Sequence, residues 1–370
     1  MSSFRKTLLG IGEAAPWFRA PALGGSPAYA FDTVGGRIVL MLFFGSAAGP
    51  AAREALAKIV RQRALFDDEK ACFFGVSVDS SDAAEGRIRQ VLPGLRFFLD
   101  EERRVSGLYG AAGEDGSYRP HWLLLDHFLR VVGRFALEDG DAALAAAAGL
   151  VLAPPAQDWA PVAAVPNVLE PALCRRLIDL YEADGGEESG FMRDVEGKTK
   201  LILDPSHKVR RDYLVEDPEL AGEINLRLIH RLLPMVQRAF SFKATRVERL
   251  LVGCYEAETG GHFRAHRDNT TKGTAHRRFA VTINLNAEEY DGGDLNFPEF
   301  GPRAYRAATG GAIVFSCSLL HQALPVTRGR RFALLPFLYD DAGAELRERN
   351  AGHLEGEAAK YRADNDVQAG

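Results

Sequence analysis

Two histidines and an aspartate are the residues of this 370-residue chain best suited to hold a metal ion. His266 and Asp268 lie two apart in "HFRAHRDNT". On a strand that spacing sends both side chains to one face, where they can grip one ion from one side. His321 follows the apolar run "GGAIVFSCSLL", so a third donor arrives at the end of another predicted strand. An H-x-D pair alone is commonplace on protein surfaces. The downstream histidine, and Arg331 ten residues after it on what should be the next strand, make the pattern specific.

Two imidazoles and one carboxylate leave coordination positions open, the donor set suited to non-haem Fe(II) and O2. A buried guanidinium matches a carboxylate as a planar fork, so Arg331 suits the far end of a chelating dicarboxylate. Other residues carry less. His262 shares strand parity with His266 and fits a second layer or a pocket wall better than ligation. His276 and Arg277, in "TTKGTAHRR", read as a solvated loop beside the metal. "HLE" at His353 repeats the H-x-acid pattern in a charged tail without a downstream histidine, and reads as surface. Gly292-Gly293 reads as a turn with unusual backbone angles.

The elements that must position these residues are short. From Phe242 onward the pattern is brief strands separated by turn signals, which predicts a β-sandwich or barrel. Before it, "PALCRRLIDLYEA" and "DPELAGEINLRLIHRLLPMVQRAF" predict two helices, the second broken near Pro234. Between these helices, residues 190–217 are polar and cation-rich. They read as a solvated loop or, given the length, as a lid or binding segment, with Lys198 to Arg211 covering the barrel mouth and Arg210 and Arg211 of "HKVRRDY" near the substrate or in a second layer.

Residues from about Val247 to Tyr339 resemble the prolyl-hydroxylase-like branch of the 2-oxoglutarate and Fe(II)-dependent dioxygenases. The resemblance runs through "CYEAETGGHFRAHRDN", "YDGGDLNFPEFG" and "GGAIVFSCSLLHQALPVTRGRRFAL". It implies a double-stranded β-helix (jelly roll) with flanking helices, iron on His266, Asp268 and His321, and the distal carboxylate of 2-oxoglutarate on Arg331. Tyr255 matches the tyrosine that helps hold this co-substrate. Where relatives often show Tyr-Leu-Asn, this chain has Asn284-Leu285-Asn286, so Asn284 is expected to donate to 2-oxoglutarate instead. The implied chemistry is hydroxylation of a C–H bond on a peptide, a protein or a small molecule, with Fe(II), 2-oxoglutarate and O2, and ascorbate as an optional reductant.

The first half alternates buried strands and helices: "RIVLMLFF", "PAAREALAKIVRQRALF", "ACFFGVSVD", a charged helix "AAEGRIRQVL", "LRFFLD", then a hairpin and a closing helix. That order predicts a mostly parallel sheet with helices on both faces. Residues 8 to 150 resemble the thioredoxin-like fold near its peroxiredoxin branch, through "APWFRAPALGG", "VSVDSSDAA" and "SYRPHWLLLD", where Pro120 matches a cis-proline. In the strand–turn–helix "FFGSAAGPAARE", Ala48 and Ala51 stand where such proteins carry their thiols, so the domain is expected to be redox-silent, since thiol chemistry needs a low-pKa thiolate there. Cys72, within a buried strand, reads as inert core.

The chain therefore divides into a thioredoxin-like domain (1–155), a dioxygenase domain (156–345) and a charged tail (346–370). A net charge of −5 gives no case for nucleic-acid or membrane partners. No apolar run is long enough for a membrane helix, no secretory leader is evident, and four scattered cysteines predict reduced thiols in a soluble cytoplasmic protein. A homo-oligomer stays open. The competing functions are a non-catalytic binding or sensing scaffold and a residual thiol peroxidase.

Overall fold

The run Ile38–Gly45 becomes the central strand of a five-stranded sheet because its side chains are apolar on both faces and helices cover both. Ala71–Ser77 and then Leu95–Leu99 pair parallel to it on one side; His121–Leu125 and Val131–Ala136 follow antiparallel on the other. Alternation divides the core. Leu40, Leu42 and Trp122 pack with helices Pro50–Arg61 and Gly140–Leu152, while Val39, Met41 and Phe43 pack with Val105 and Tyr109 around the short Arg104–Leu108 helix.

This computed structural model describes residues 5–154, 157–195, 197–356 and 367–368. Contact clustering gives two compact units: Met1–Asp158 with Pro298–Pro302, and Trp159–Phe297 with Arg303–Gly370. The sequence-derived boundary at 155/156 lies outside the described residues. In the first unit two expectations fail. The charged stretch 83–92 forms only a four-residue helix, Ser81–Ala84, because Arg87 is drawn back onto Asp82 (2.7 Å) and Gly86 takes a positive φ. The cis peptide bond precedes Pro93, and Pro120 follows a trans bond.

In the second unit, Pro171–Asp184 and the helical stretch 218–240 lie on the outer face of a ten-stranded antiparallel sheet, burying Val252, Cys254, Val281, Ile283, Phe332 and Leu334. Pro234 has no N–H to donate, and the helix widens to a π turn over Leu228–Leu232, with Leu233 N–H reaching Leu228 O. The second sheet runs Lys208–Val209, His262–His266, His321–Ala323, Leu295–Asn296 and Ala304–Tyr305. The inner faces meet where Tyr255 and Tyr290 pack with Ala323, Val326 and Phe263. Gly292 closes this layer: at φ 69° it suits only glycine, and a Cβ there would sit 2.4 Å from Pro325 O.

Residues 190–217 are not a loop. Phe191–Val195 and Lys198–Ile202 form a hairpin, and Lys208–Leu214 supplies strands to both sheets. Nor are His276 and Arg277 solvated. Both are buried on Glu248, which accepts from His276 Nε2 (2.9 Å) and from Arg277 Nε and Nη2 (2.9 and 2.6 Å). The helix Asp341–Asn350 crosses the expected start of the tail, and its buried Arg347 donates to Tyr339; residues 357–366 lie outside the described ones. His353 is half-buried, with Nδ1 on Gly197 O.

Burial alone would raise the Glu248 carboxyl, but the Arg277 charge and the donors from His276 and Arg277 hold it well below its ordinary value. A depressed acid stabilises the fold above its unfolded pKa and loses that contribution as the pH falls through the folded one. Glu248→Ala should therefore cost about 3–5 kcal/mol at neutral pH. The gap to wild type should shrink as the pH drops below 4.5, the ordinary value. Urea unfolding of both proteins across that range checks it.

Candidate active site

His266 ends the strand His262–His266 and stands directly across the ladder from His321, which opens its own strand. Asp268 is not on the strand, as its spacing suggested. It lies in the turn that follows, pinned by its N–H donating to Cys317 O at 3.0 Å. The three side chains nevertheless converge, their donor atoms all within 4.8 Å of one another. Asp268 sits between the rings, Oδ1 3.4 Å from His266 Nε2 and Oδ2 3.3 Å from His321 Nε2.

Protonation is set locally. His266 Nδ1 lies 2.7 Å from Arg264 O, and His321 Nδ1 lies 3.0 Å from Leu319 O. A carbonyl can only accept, so each Nδ1 carries a proton, and Nε2 is the ring nitrogen turned toward the cluster. Burial pushes the His321 imidazole down to about 4, which keeps it neutral. Burial works against ionisation of Asp268, but the histidines opposite outweigh it and hold the carboxyl well below its usual range. A divalent ion bound here would take both imidazoles through Nε2, deprotonated, and the ionised carboxylate of Asp268.

Arg331 is buried on the strand Arg330–Leu334 of the ten-stranded sheet, its side chain on the inner face with Tyr255. Its Nη2 donates to Thr282 Oγ1 at 3.0 Å, the Tyr290 hydroxyl bonds to it, and its guanidinium lies 5.1 Å over the Tyr255 ring. Among the described residues no carboxylate pairs with it, and its Nε is buried without a partner. A buried cation left in this state is an incomplete site for an anion. The residues present thus fit both an iron-type ion and a dicarboxylate.

The other predicted residues divide. Tyr255 faces inward opposite Arg331 in the ladder, and its hydroxyl accepts from Arg210 Nη1 at 3.3 Å. Arg210 is buried beside it, but Arg211 is not in the site. Strand alternation turns Arg211 outward, where it binds the carbonyls of Gly185 and Gly186. Asn284 does face inward, yet its amide donates to Ala307 O (2.7 Å), and Thr282 is the residue of that strand which touches Arg331. His262 falls outside the cluster. A register shift between Phe263 and His266 puts Phe263 on the inner face, stacked on His266 with centroids 3.5 Å apart.

Sequence reasoning did not single out Thr282, Tyr290, Lys208 or His207. Thr282 carried a signal, being two positions before Asn284 on one face of "FAVTIN"; Tyr290 required the fold. His207 packs between Phe191, tilted against it at 4.4 Å, and Phe263, edge-on at 5.5 Å, extending an aromatic wall from the hairpin to His266. Lys208 is buried over the Phe263 ring at 4.8 Å and donates to Ser189 Oγ and Gly190 O. In the first unit Cys72 is buried and its thiol pushed up to about 12 by that burial, which leaves it unreactive. No helix among the described residues is long and apolar enough to cross a membrane.

Residues 250–339 match the 2OG-Fe(II) oxygenase superfamily, and residues 11–132 match the AhpC/TSA family. A PKHD-type hydroxylase of Stutzerimonas stutzeri is 34% identical over 128 residues, 32% of this chain and 56% of that protein. A PKHD-type hydroxylase of Pseudomonas putida is 30% identical over 169 residues, 44% of this chain and 69% of that protein. The crystal structure of a Pseudomonas putida prolyl-4-hydroxylase aligns over 49% of this chain and 93% of its own, with 16% identity and a TM-score of 0.38. The chain thus spans little more than half of the first relative and about two thirds of the second. Through its C-terminal part it belongs to the 2OG-Fe(II) oxygenases, enzymes of Fe(II), 2-oxoglutarate and O2. An AhpC/TSA-type domain, with alanines at the two thiol positions of its strand–turn–helix, precedes that part.

Arg331→Ala should leave metal uptake intact and weaken 2-oxoglutarate binding by about 2–5 kcal/mol, since a buried charge-assisted contact is lost. Calorimetric titration of the metal-loaded variant checks both halves of that expectation.

Proposed function

We propose that the protein is a hydroxylase in which His266, Asp268 and His321 hold Fe(II) while Arg331 and Tyr255 hold 2-oxoglutarate. The observation that carries this is the pairing of two imidazoles and a carboxylate, their donor atoms converging, with a buried guanidinium that lacks its own carboxylate among the described residues. The two facing antiparallel sheets support a double-stranded β-helix as the finer fold.

When bound, the iron and 2-oxoglutarate supply the oxidising power that converts a substrate C–H to C–OH. The chain's own residues do the rest. Backbone carbonyls of Arg264 and Leu319 fix the imidazole tautomers. Arg331, steadied by Thr282 and Tyr290, offers its fork to the far carboxylate. Phe263, Tyr255 and Tyr290 keep that part of the barrel dry, which strengthens every charge contact inside it.

For the substrate we favour a peptidyl side chain. The half-exposed wall of Phe191, His207 and Phe263 runs from the hairpin to His266, a surface suited to an extended chain lying across the metal. The hairpin Phe191–Ile202 is then the cover of the site. The first domain, redox-silent, serves to dock a protein substrate, a partner or a second subunit. The four free, buried cysteines suit the reducing cytoplasm.

Asp268→Ala should lose iron binding and succinate formation from 2-oxoglutarate while keeping its unfolding midpoint. Full succinate production by that variant would sink the assignment. With the substrate in hand, found by mass spectrometry as a gain of one oxygen, the hairpin should resist proteolysis only in the filled enzyme.

A further inference from the structure

Beside the barrel interior lies a buried charged group that the metal and Arg331 do not explain. Arg210 and Asp212 project inward from one end of the strand segment Lys208–Leu214. They form a two-pronged ion pair, Nε to Oδ1 at 2.5 Å and Nη2 to Oδ2 at 2.7 Å. Ser189 donates its hydroxyl proton to Asp212 Oδ2 and accepts from Arg210 Nη2 and Lys208 Nζ. Asp212 thus fully occupies one edge of the guanidinium, leaving Nη1 to point elsewhere. It donates to the Tyr255 hydroxyl at 3.3 Å, and the guanidinium lies 5.7 Å from the Tyr255 ring centroid.

The backbone makes room for this arrangement. Gly253 lies opposite Asp212 in the ladder and two residues before Tyr255, on the same inner face. A Cβ on Gly253 would come within 3.0 Å of Arg210 Cδ and 3.2 Å of its Nε. The stem of Arg210 therefore runs across the gap that this glycine leaves in the strand Leu251–Glu256.

Guanidinium has donors only, so the Tyr255 oxygen must use a lone pair toward Arg210, and its own proton is free to turn away from that side. Tyr255 is also the ring over which Arg331 lies. We propose that Arg210 and Asp212 are positioning residues for 2-oxoglutarate. They fix the Tyr255 hydroxyl as a donor toward the carboxylate that Arg331 binds, and Gly253 holds the space they need. This rests on the co-substrate reading of Arg331 and Tyr255 given above.

The test is a double-mutant cycle read by calorimetric binding of 2-oxoglutarate to the Mn(II)-loaded protein, together with KM and kcat for its turnover. Tyr255→Phe should weaken binding about tenfold, the equivalent of one hydrogen bond to a charged group. The paired change Arg210→Met/Asp212→Asn removes both buried charges together, so the fold survives better than with one partner left alone. It should weaken binding by about three- to tenfold, raise KM for 2-oxoglutarate more than it lowers kcat, and leave Mn(II) affinity unchanged. Added to Tyr255→Phe it should change affinity by less than about twofold, because the hydroxyl it orients is gone. Arg210→Lys, which keeps a donor, should recover part of the loss. Gly253→Ala should reproduce the weakening, and only when Tyr255 is present.

Undiminished affinity in the paired variant, or a full additive loss on top of Tyr255→Phe, would overturn the positioning role. A wild-type protein that takes up Mn(II) but binds no 2-oxoglutarate would instead overturn the co-substrate reading and this proposal with it.

Discussion

The cross-strand pair His266–His321 is the constraint on which the site depends. These residues lie far apart in the chain, and only antiparallel registration of their two strands sets the rings 4.3 Å apart at their centroids. A slip of one residue would turn one imidazole out of the barrel. The register shift after Phe263 and the Asp268 N–H bond to Cys317 O adjust the remaining geometry, re-aiming the turn so that the carboxylate falls between the rings.

The barrel also sorts its charges into completed and uncompleted groups. Glu248 is satisfied by Arg277 and His276, and Asp212 by Arg210, so these groups tie strands and loops together without needing a ligand. Arg331 has hydroxyl partners but no carboxylate among the described residues. The cost of burying a cation falls sharply once an anion joins it. The fold therefore holds a site whose electrostatics favour filling by a carboxylate, next to three converging donors of the types that suit a divalent metal.

In the first unit polar side chains secure the turn between the central strand and its helix. The turn before the helix Pro50–Arg61 is held by Asp82 accepting from Ala47 N–H (2.9 Å) and by Ser46 bonded to Asp79 (2.6 Å). Polar groups thus fix this turn, which carries Ala48 and Ala51. Cys72 lies in the sheet with its thiol sealed in the apolar core.

Much of this was already legible in the residues themselves. Strand and helix alternation in the first half, the short strands after Phe242 and the disturbance of the helix near Pro234 follow from local pattern. Residue chemistry singled out His266, Asp268, His321 and Arg331 as candidates, whose convergence the strand register then supplied. Periodicity and residue chemistry act over a few positions, and a sequence displays both. The fold alone decided that Arg210 faces in while Arg211 faces out, that Phe263 rather than His262 lies on the inner face, and that His276 and Arg277 are buried on Glu248. Each depends on which strand lies opposite and on a register shift. A polar residue reads the same in sequence whether water or a partner from eighty ångströms of extended chain away satisfies it, roughly the span of a couple of dozen residues. Long-range pairing is set by the packing of whole sheets, and only the tertiary structure carries that information.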